Sequence, residues 1–136
     1  MVGEDTLYLA VRVMTCGIWA GAGLFKLTHF KGFTEKMAHL RQPVPPVSAV
    51  VVVAIELIGS LLLIANLYVS EVCLVWIAFI IYATPFEHRP LFDEKGAIVF
   101  PQYVHWWKNL SLIGGLCALI LLDPGKPAWL HGLIGG

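Results

Sequence analysis

Four runs of this chain are apolar for nearly the length that a bilayer demands, and that pattern excludes most folds. A helix crossing a hydrocarbon core of about 30 Å needs roughly 20 mostly apolar residues. The first run extends from about Thr6 to Thr28, the second from about Val47 to Leu67, the third from about Glu71 to Phe86, and the fourth from about Tyr103 to Leu122. Backbone amides find no water in lipid, so each run must be helical, and no two-residue alternation supports a barrel. The third run is the shortest, and Pro85 is expected to end its helix. Composition agrees, with 58% hydrophobic and 13% charged residues, against about 45–50% and about 25% in soluble domains. The expected fold is an all-α integral membrane bundle of four transmembrane helices, a single domain over residues 1–136.

The loops add an interfacial element and an orientation. In "HFKGFTEKMAHLRQPVPP", Phe33, Met37 and Leu40 recur at helical spacing, with Lys36, His39 and Arg41 on the other side. A short amphipathic helix over about residues 31–41, lying among lipid headgroups, fits this pattern. The third loop, "EHRPLFDEKGAIVFPQ", reads as a surface excursion with a short hairpin or turn, and Tyr103, Trp106 and Trp107 sit where an aromatic belt belongs. The opening "MVGEDT" is acidic where a secretory leader is basic, so the first run is expected to remain as a span. Loops one and three carry Lys31, Lys36, Arg41, Arg89 and Lys95, with Lys26 and Lys108 close by, whereas the opposite face has Lys126 alone. The positive-inside rule then puts loops one and three in the cytoplasm and both termini outside, in a bacterial inner membrane.

Small residues and cysteines are expected inside the bundle. Gly17/Gly21 in the first span, and Ser111/Gly115 and Gly114/Ala118 in the fourth, have the spacing that lets helices approach closely. Packing within the bundle is the expected use, and contact between two copies is the alternative. Cys16, Cys73 and Cys117 lie in apolar runs without C-x-x-C spacing, so they read as small core residues rather than a disulfide framework, a thiol redox pair or a zinc site. Net charge is zero and no basic stripe is present, which excludes nucleic acid as a partner; membrane lipid is the expected one.

Charges inside the spans need partners. Arg12, Trp19 and Lys26 are spaced by sevens and share a stripe of the first helix. Glu56, in "VVAIELIGS", falls near the middle of the second. A lone charge there costs at least about 2.5–3.5 kcal/mol, so such residues turn toward the bundle. By rise along the helices, Glu56 lies roughly 14 Å inside the loop-one face, Lys26 about 3 Å and Arg12 about 24 Å. Side chains lean toward their helix N-terminus. In antiparallel helices Glu56 and Lys26 therefore lean together, while Arg12 leans away toward the terminal face, near Glu71 or Asn66. Lys26 is the better partner of Glu56 on direction, and Arg12, on the same stripe, is the alternative. The three form an intramembrane polar site that is either an ion pair fixing helix register or a place for a ligand head or proton relay; Glu56 can also simply be protonated.

A second cluster gathers at the loop-three face: Glu87, His88, Arg89, His105, Lys108 and Asn109. His105 and Asn109 lie one turn apart on the fourth span, and His88 closes the third. His88, His105, Lys108 and Asn109 are candidates to face a quinone head or the pigment or haem of a partner, against satisfied interfacial polar groups. No H-x-x-x-H or E-x-x-H spacing occurs, so no metal site is expected. Nucleophile elbows, P-loops and dinucleotide-binding glycine patterns are missing too.

Taken in order, these motifs resemble the DoxX family of small four-span membrane proteins, from about Leu7 to Asp123. The resemblance rests on "RVMTCGIWAGAGLFKL", Gly32-Phe33, "PVPP", "AIELIGSLLLI" and "KNLSLIGGLCALI", with Arg12, Gly23, Lys26, Glu56, Lys108, Asn109, Gly114 and Gly115 at the family's motif positions. It implies a compact four-helix bundle. It leaves activity open, because relatives range from the membrane subunit of thiosulfate:quinone oxidoreductase to a mycobacterial component linking thiol and superoxide defence and to endoplasmic-reticulum cargo receptors. The long charged third loop and the missing cysteine pair depart from the thiol-active members. The resulting expectation is a non-catalytic accessory subunit of a larger redox or energy-conversion complex, in contact with other membrane subunits. A quinone-reactive oxidoreductase subunit is the alternative, and small-solute or lipid transport ranks lowest because the helix pairs show no repeat.

Overall fold

The structure, a computed structural model, describes residues 3–135; Met1, Val2 and Gly136 of the expected domain lie outside the described residues. The helices are α1 (Glu4–Thr28), α2 (Phe30–His39), α3 (Pro45–Ile64), α4 (Val69–Glu87), α5 (Phe100–Leu122) and α6 (Ala128–Ile134). Four of them, α1, α3, α4 and α5, are long and apolar enough to span a membrane. The protein is an all-helical four-span bundle with the short α2 between its first two spans, as the apolar runs require.

Local chemistry explains most helix ends. Glu4 and Asp5 in the first turn of α1, and Lys26 in its last, oppose the helix dipole. Prolines open α3 and α5, where a missing amide hydrogen costs nothing. Pro101 carries the start of α5 back to Phe100, ahead of the expected Tyr103. Two ends differ from expectation. Pro85 does not stop α4, which runs on to Glu87; it sits in the last turn, and His88 N–H still donates to Thr84 O at 3.0 Å. The second span ends at Ile64 rather than Leu67, because Asn66 (φ 59°) and Tyr68 (φ 52°) take left-handed conformations in the tight turn to α4. In the third loop Phe92 and Ile98 form a single antiparallel bridge. The Asp93 carboxylate accepts the amides of Lys95 and Ala97 at 2.8 and 2.9 Å inside that small hairpin.

Packing divides the bundle into two helix pairs, α1 with α3 and α4 with α5, joined across the middle, with α2 folded against α3. The main core gathers Cys16, Trp19, Leu63, Cys73, Trp76 and Leu116. Trp19 and Trp76 stack across it with centroids 4.3 Å apart and planes at 8°, an arrangement worth about 0.5–1.5 kcal/mol beyond burial. Phe33 and Met37 of α2 pack with Ala49 and Val53 of α3 in a second core that anchors the amphipathic helix.

The small residues are used differently from expectation. Gly17, Gly21, Gly114 and Gly115 face outward, and a Cβ on any of them meets nothing within 4 Å. Close approach falls instead at Gly23, where a Cβ comes within 2.9 Å of Leu57, and at Gly59, where it comes within 2.8 Å of Trp76 Nε1. Cys16 and Cys73 are buried, but Cys117 is exposed, contrary to the expectation of a core residue. Both misreadings have one cause: in lipid an outward face is as apolar as an inward one, so spacing cannot separate them.

Candidate functional site

Lys26 and Glu56 meet. Glu56 is 3% exposed on α3, and Lys26 Nζ of α1 donates to its Oε1. Gly23 makes the meeting possible. Lying one turn before Lys26, its missing side chain lets α1 settle against Leu57 and against Glu56 Cβ, which a Cβ would approach to 3.0 Å. The ring of Phe33 on α2 lies 5.2 Å from Lys26 Nζ and covers the ammonium from the loop side. The second carboxylate oxygen, Glu56 Oε2, is buried and has no hydrogen-bond partner. A buried acceptor left unmade costs about 1–3 kcal/mol, more when charged.

Arg12 belongs elsewhere. Its Nη1 donates to the carbonyls of Leu63 and Ile64 at 2.9 and 3.0 Å, and its guanidinium lies 4.8 Å from the ring centroid of Tyr8. These carbonyls end α3, where intrahelical donors run out and the helix dipole is negative. The expected partners Glu71 and Asn66 therefore give way to backbone, because α3 stops earlier than the apolar run suggested. Nearby, Asp123 is 3% exposed. Its Oδ2 accepts Ser70 N–H and Oγ–H at 3.1 and 2.6 Å, and Oδ1 accepts Gly125 N–H at 2.8 Å, tying α5 to the start of α4. Sequence reading missed Asp123, since "DPGKP" looked only like the end of a span.

The second cluster is partly assembled. His88 and His105 stack with centroids 4.3 Å apart at 12°. His88 Nδ1 lies 3.3 Å from Gln102 Oε1, and Lys108 Nζ lies 3.3 Å from His105 Nδ1. Asn109 turns away from them: its Nδ2 donates to Thr84 Oγ1 at 2.8 Å, and that hydroxyl donates to Ile80 O at 2.6 Å. Burial, followed by the neighbouring His105, holds the His88 imidazole below its ordinary pKa. Arg89 is exposed and lies over Phe86 rather than in the cluster.

One cavity of about 130 Å³ brings the two clusters together. Lys26, Glu56, Thr84, Glu87, His88, Lys108 and Asn109 are its polar wall, with Trp19, Phe79 and Leu112 among the apolar lining. His105 stands behind His88 and Arg12 is remote, so neither lines it. Thr84 was not singled out from sequence; a hydroxyl beside Pro85 at the end of an apolar run was its only signal. Chemically the cavity wall combines the Glu56 carboxylate, whose Oε2 has no partner, with the Lys108 ammonium and the Asn109 amide, which already donates one bond to Thr84. A compact ring bearing hydroxyl or carbonyl oxygens suits such a set.

The model of the DoxX family matches residues 7–89, which include Lys26, Glu56 and Thr84. Inner membrane protein YphA of Escherichia coli (strain K12) is 26% identical over 122 residues, covering 90% of this chain and 86% of that protein. No solved structure matches the chain. With more than half of its length matched and four apolar helices present, the chain belongs to the DoxX family and is a multi-pass inner-membrane protein.

Proposed function

We propose that this protein is a subunit of a larger inner-membrane redox assembly and that its cavity holds the head of a membrane quinol. The observation that carries this reading is the buried, unpartnered Glu56 Oε2 in a wall shared with Lys26, Lys108 and Asn109. A quinol hydroxyl donates to that oxygen, and the ring oxygen opposite accepts from Lys108 or Asn109. Because the unmet group is an acceptor, the reduced ligand binds more tightly than the quinone. Loops one and three, with most of the Lys and Arg, face the cytoplasm in this reading. The outward small-residue faces of α1 and α5 support contact with helices of another subunit.

Calorimetry on the purified protein in lipid nanodiscs tests the site, with a tail-less dimethoxy-methyl-benzoquinol as probe. Wild-type protein binds the quinol more tightly than the matching quinone, and Glu56→Gln weakens quinol binding about tenfold, the loss of one charged hydrogen bond. Equal binding by wild type and Glu56→Gln overturns the reading. Mild-detergent purification tests the assembly: co-eluting membrane subunits are expected, and a solitary protein contradicts it.

A further inference from the structure

A quinol head in a bilayer carries a long apolar tail, and the head cavity has no room for one. The outer side of the α3–α4 pair does. There a groove of about 570 Å³ is lined by Val47, Val51, Ile55, Val75, Ala78 and Tyr82, among others. Beyond Ile55 and Val75 it continues into a hollow of about 360 Å³ beside Ile58, Leu62 and Val72. From Val47 to Leu62 the helix rises about 22 Å, most of a hydrocarbon core of about 30 Å.

The polar chemistry of this groove is the reverse of the head site. Its few polar members are already bonded: Tyr82 Oη donates to Gln42 Oε1 at 2.8 Å, and Ser48 Oγ donates to Pro43 O. Along the groove of about 570 Å³ these bonds leave no polar side chain without a partner, which suits an apolar chain; Tyr68 and Glu71 border the hollow at its far end. Its shape has a structural cause. Gly59 lets Trp76 pack tightly on α3, where Trp76 Nε1 donates to Ile55 O at 3.0 Å, and outward of that contact the facing helices leave space.

Groove and head site share a wall. A small space of about 30 Å³ between them is lined by Phe79, Ala83 and Glu87, which also line the head cavity, and by Met37, Val52 and Tyr82, which also line the groove. Phe79 borders all three spaces and leans on Trp19, ring centroids 6.0 Å apart. We infer that the α3–α4 groove binds the single long tail of the same quinol whose head lies beside Glu56, with Phe79 as the partition that the chain passes on entering sideways from the bilayer. The inference rests on the proposed head site and adds the ligand's second half and its route.

Two probes and three variants test it in phosphatidylcholine nanodiscs: the tail-less benzoquinol and the same head with a decyl chain. Ala78→Trp and Val51→Trp fill the groove from opposite helices at exposed positions, so the bundle is expected to stay folded, as size-exclusion profiles report. Wild-type protein gains at least about tenfold in affinity from the decyl chain after correction for partitioning into empty nanodiscs. Both tryptophan variants lose that gain and bind the tail-less head like wild type. A decyl gain unchanged in both variants overturns the groove, which is then filled by bulk lipid. Glu56→Gln separates the two ideas: it weakens both probes if the head site is right, and unweakened binding of both strikes the head site rather than the groove.

Discussion

Lys26 and Glu56 set the character of the site, because each makes the other tolerable in the membrane. Removing one partner of a buried pair leaves an uncompensated charge and costs about 3–5 kcal/mol. Lys26→Met alone is therefore expected to lower stability by about 3 kcal/mol, whereas Lys26→Met with Glu56→Gln loses clearly less than the sum of the single changes. Detergent-titrated unfolding followed by circular dichroism measures the cycle, and additive losses refute the pairing. His88 gives a pH signature. Its folded-state pKa lies below the ordinary value because of burial, with His105 adding to the shift. The neutral imidazole thus stabilises the fold above the ordinary histidine range, and that contribution is lost as pH falls through the lowered value. A His88→Gln variant should show a flatter fall in melting temperature on acidification below about pH 6.5 than wild type; matching profiles contradict this. At this scale much was legible in the sequence. The lean of side chains toward helix N-termini favours Lys26 over Arg12 for Glu56, although their shared stripe left both open until the fold brought Lys26 to the carboxylate. The partners of Arg12 were hidden, because they are backbone carbonyls exposed only where α3 actually stops. The role of Asp123 was hidden too, since it depends on two helix ends meeting, which no local pattern encodes.

Between helices, glycine position decides which surfaces close. Gly23 and Gly59 are the close approaches, so Gly59→Ala drives a methyl toward the Trp76 ring and disturbs the bond from Trp76 Nε1 to Ile55 O. The expected cost is about 1–3 kcal/mol from overpacking, read as a lower melting temperature. Gly17→Ala, on an outward face with open space around it, should match or exceed wild type in stability when the protein is isolated, since alanine favours the helix by about 1 kcal/mol. Equal effects at the two positions refute this division of the surface. The four spans and α2 were readable from apolar length and amphipathic spacing. Helix ends shifted where turn geometry, left-handed Asn66 and Tyr68 above all, overrode hydropathy. The facing of the G-x-x-x-G stripe was unreadable for a physical reason: its spacing is identical whether it meets a helix of the same bundle, another subunit or lipid.

Across the whole molecule, the bundle holds a cavity with Lys26, Glu56, Lys108 and Asn109 in its wall, while apolar helix faces meet the bilayer. The fold alone would serve as a structural subunit. In the proposed reading, the unpartnered oxygen of Glu56 is what separates a binding protein from a buttress. Photolabelling with a head-azido quinol analogue, followed by peptide mass spectrometry, reports directly where the head resides. Saturable labels are expected on residues around the cavity such as Ala22, Ala83 and Leu112, suppressed by excess unlabelled quinol and diminished in Glu56→Gln. Labels spread over outward residues such as Met14 and Leu61, and unaffected by competitor, would mean that no quinol head occupies the site beside Glu56.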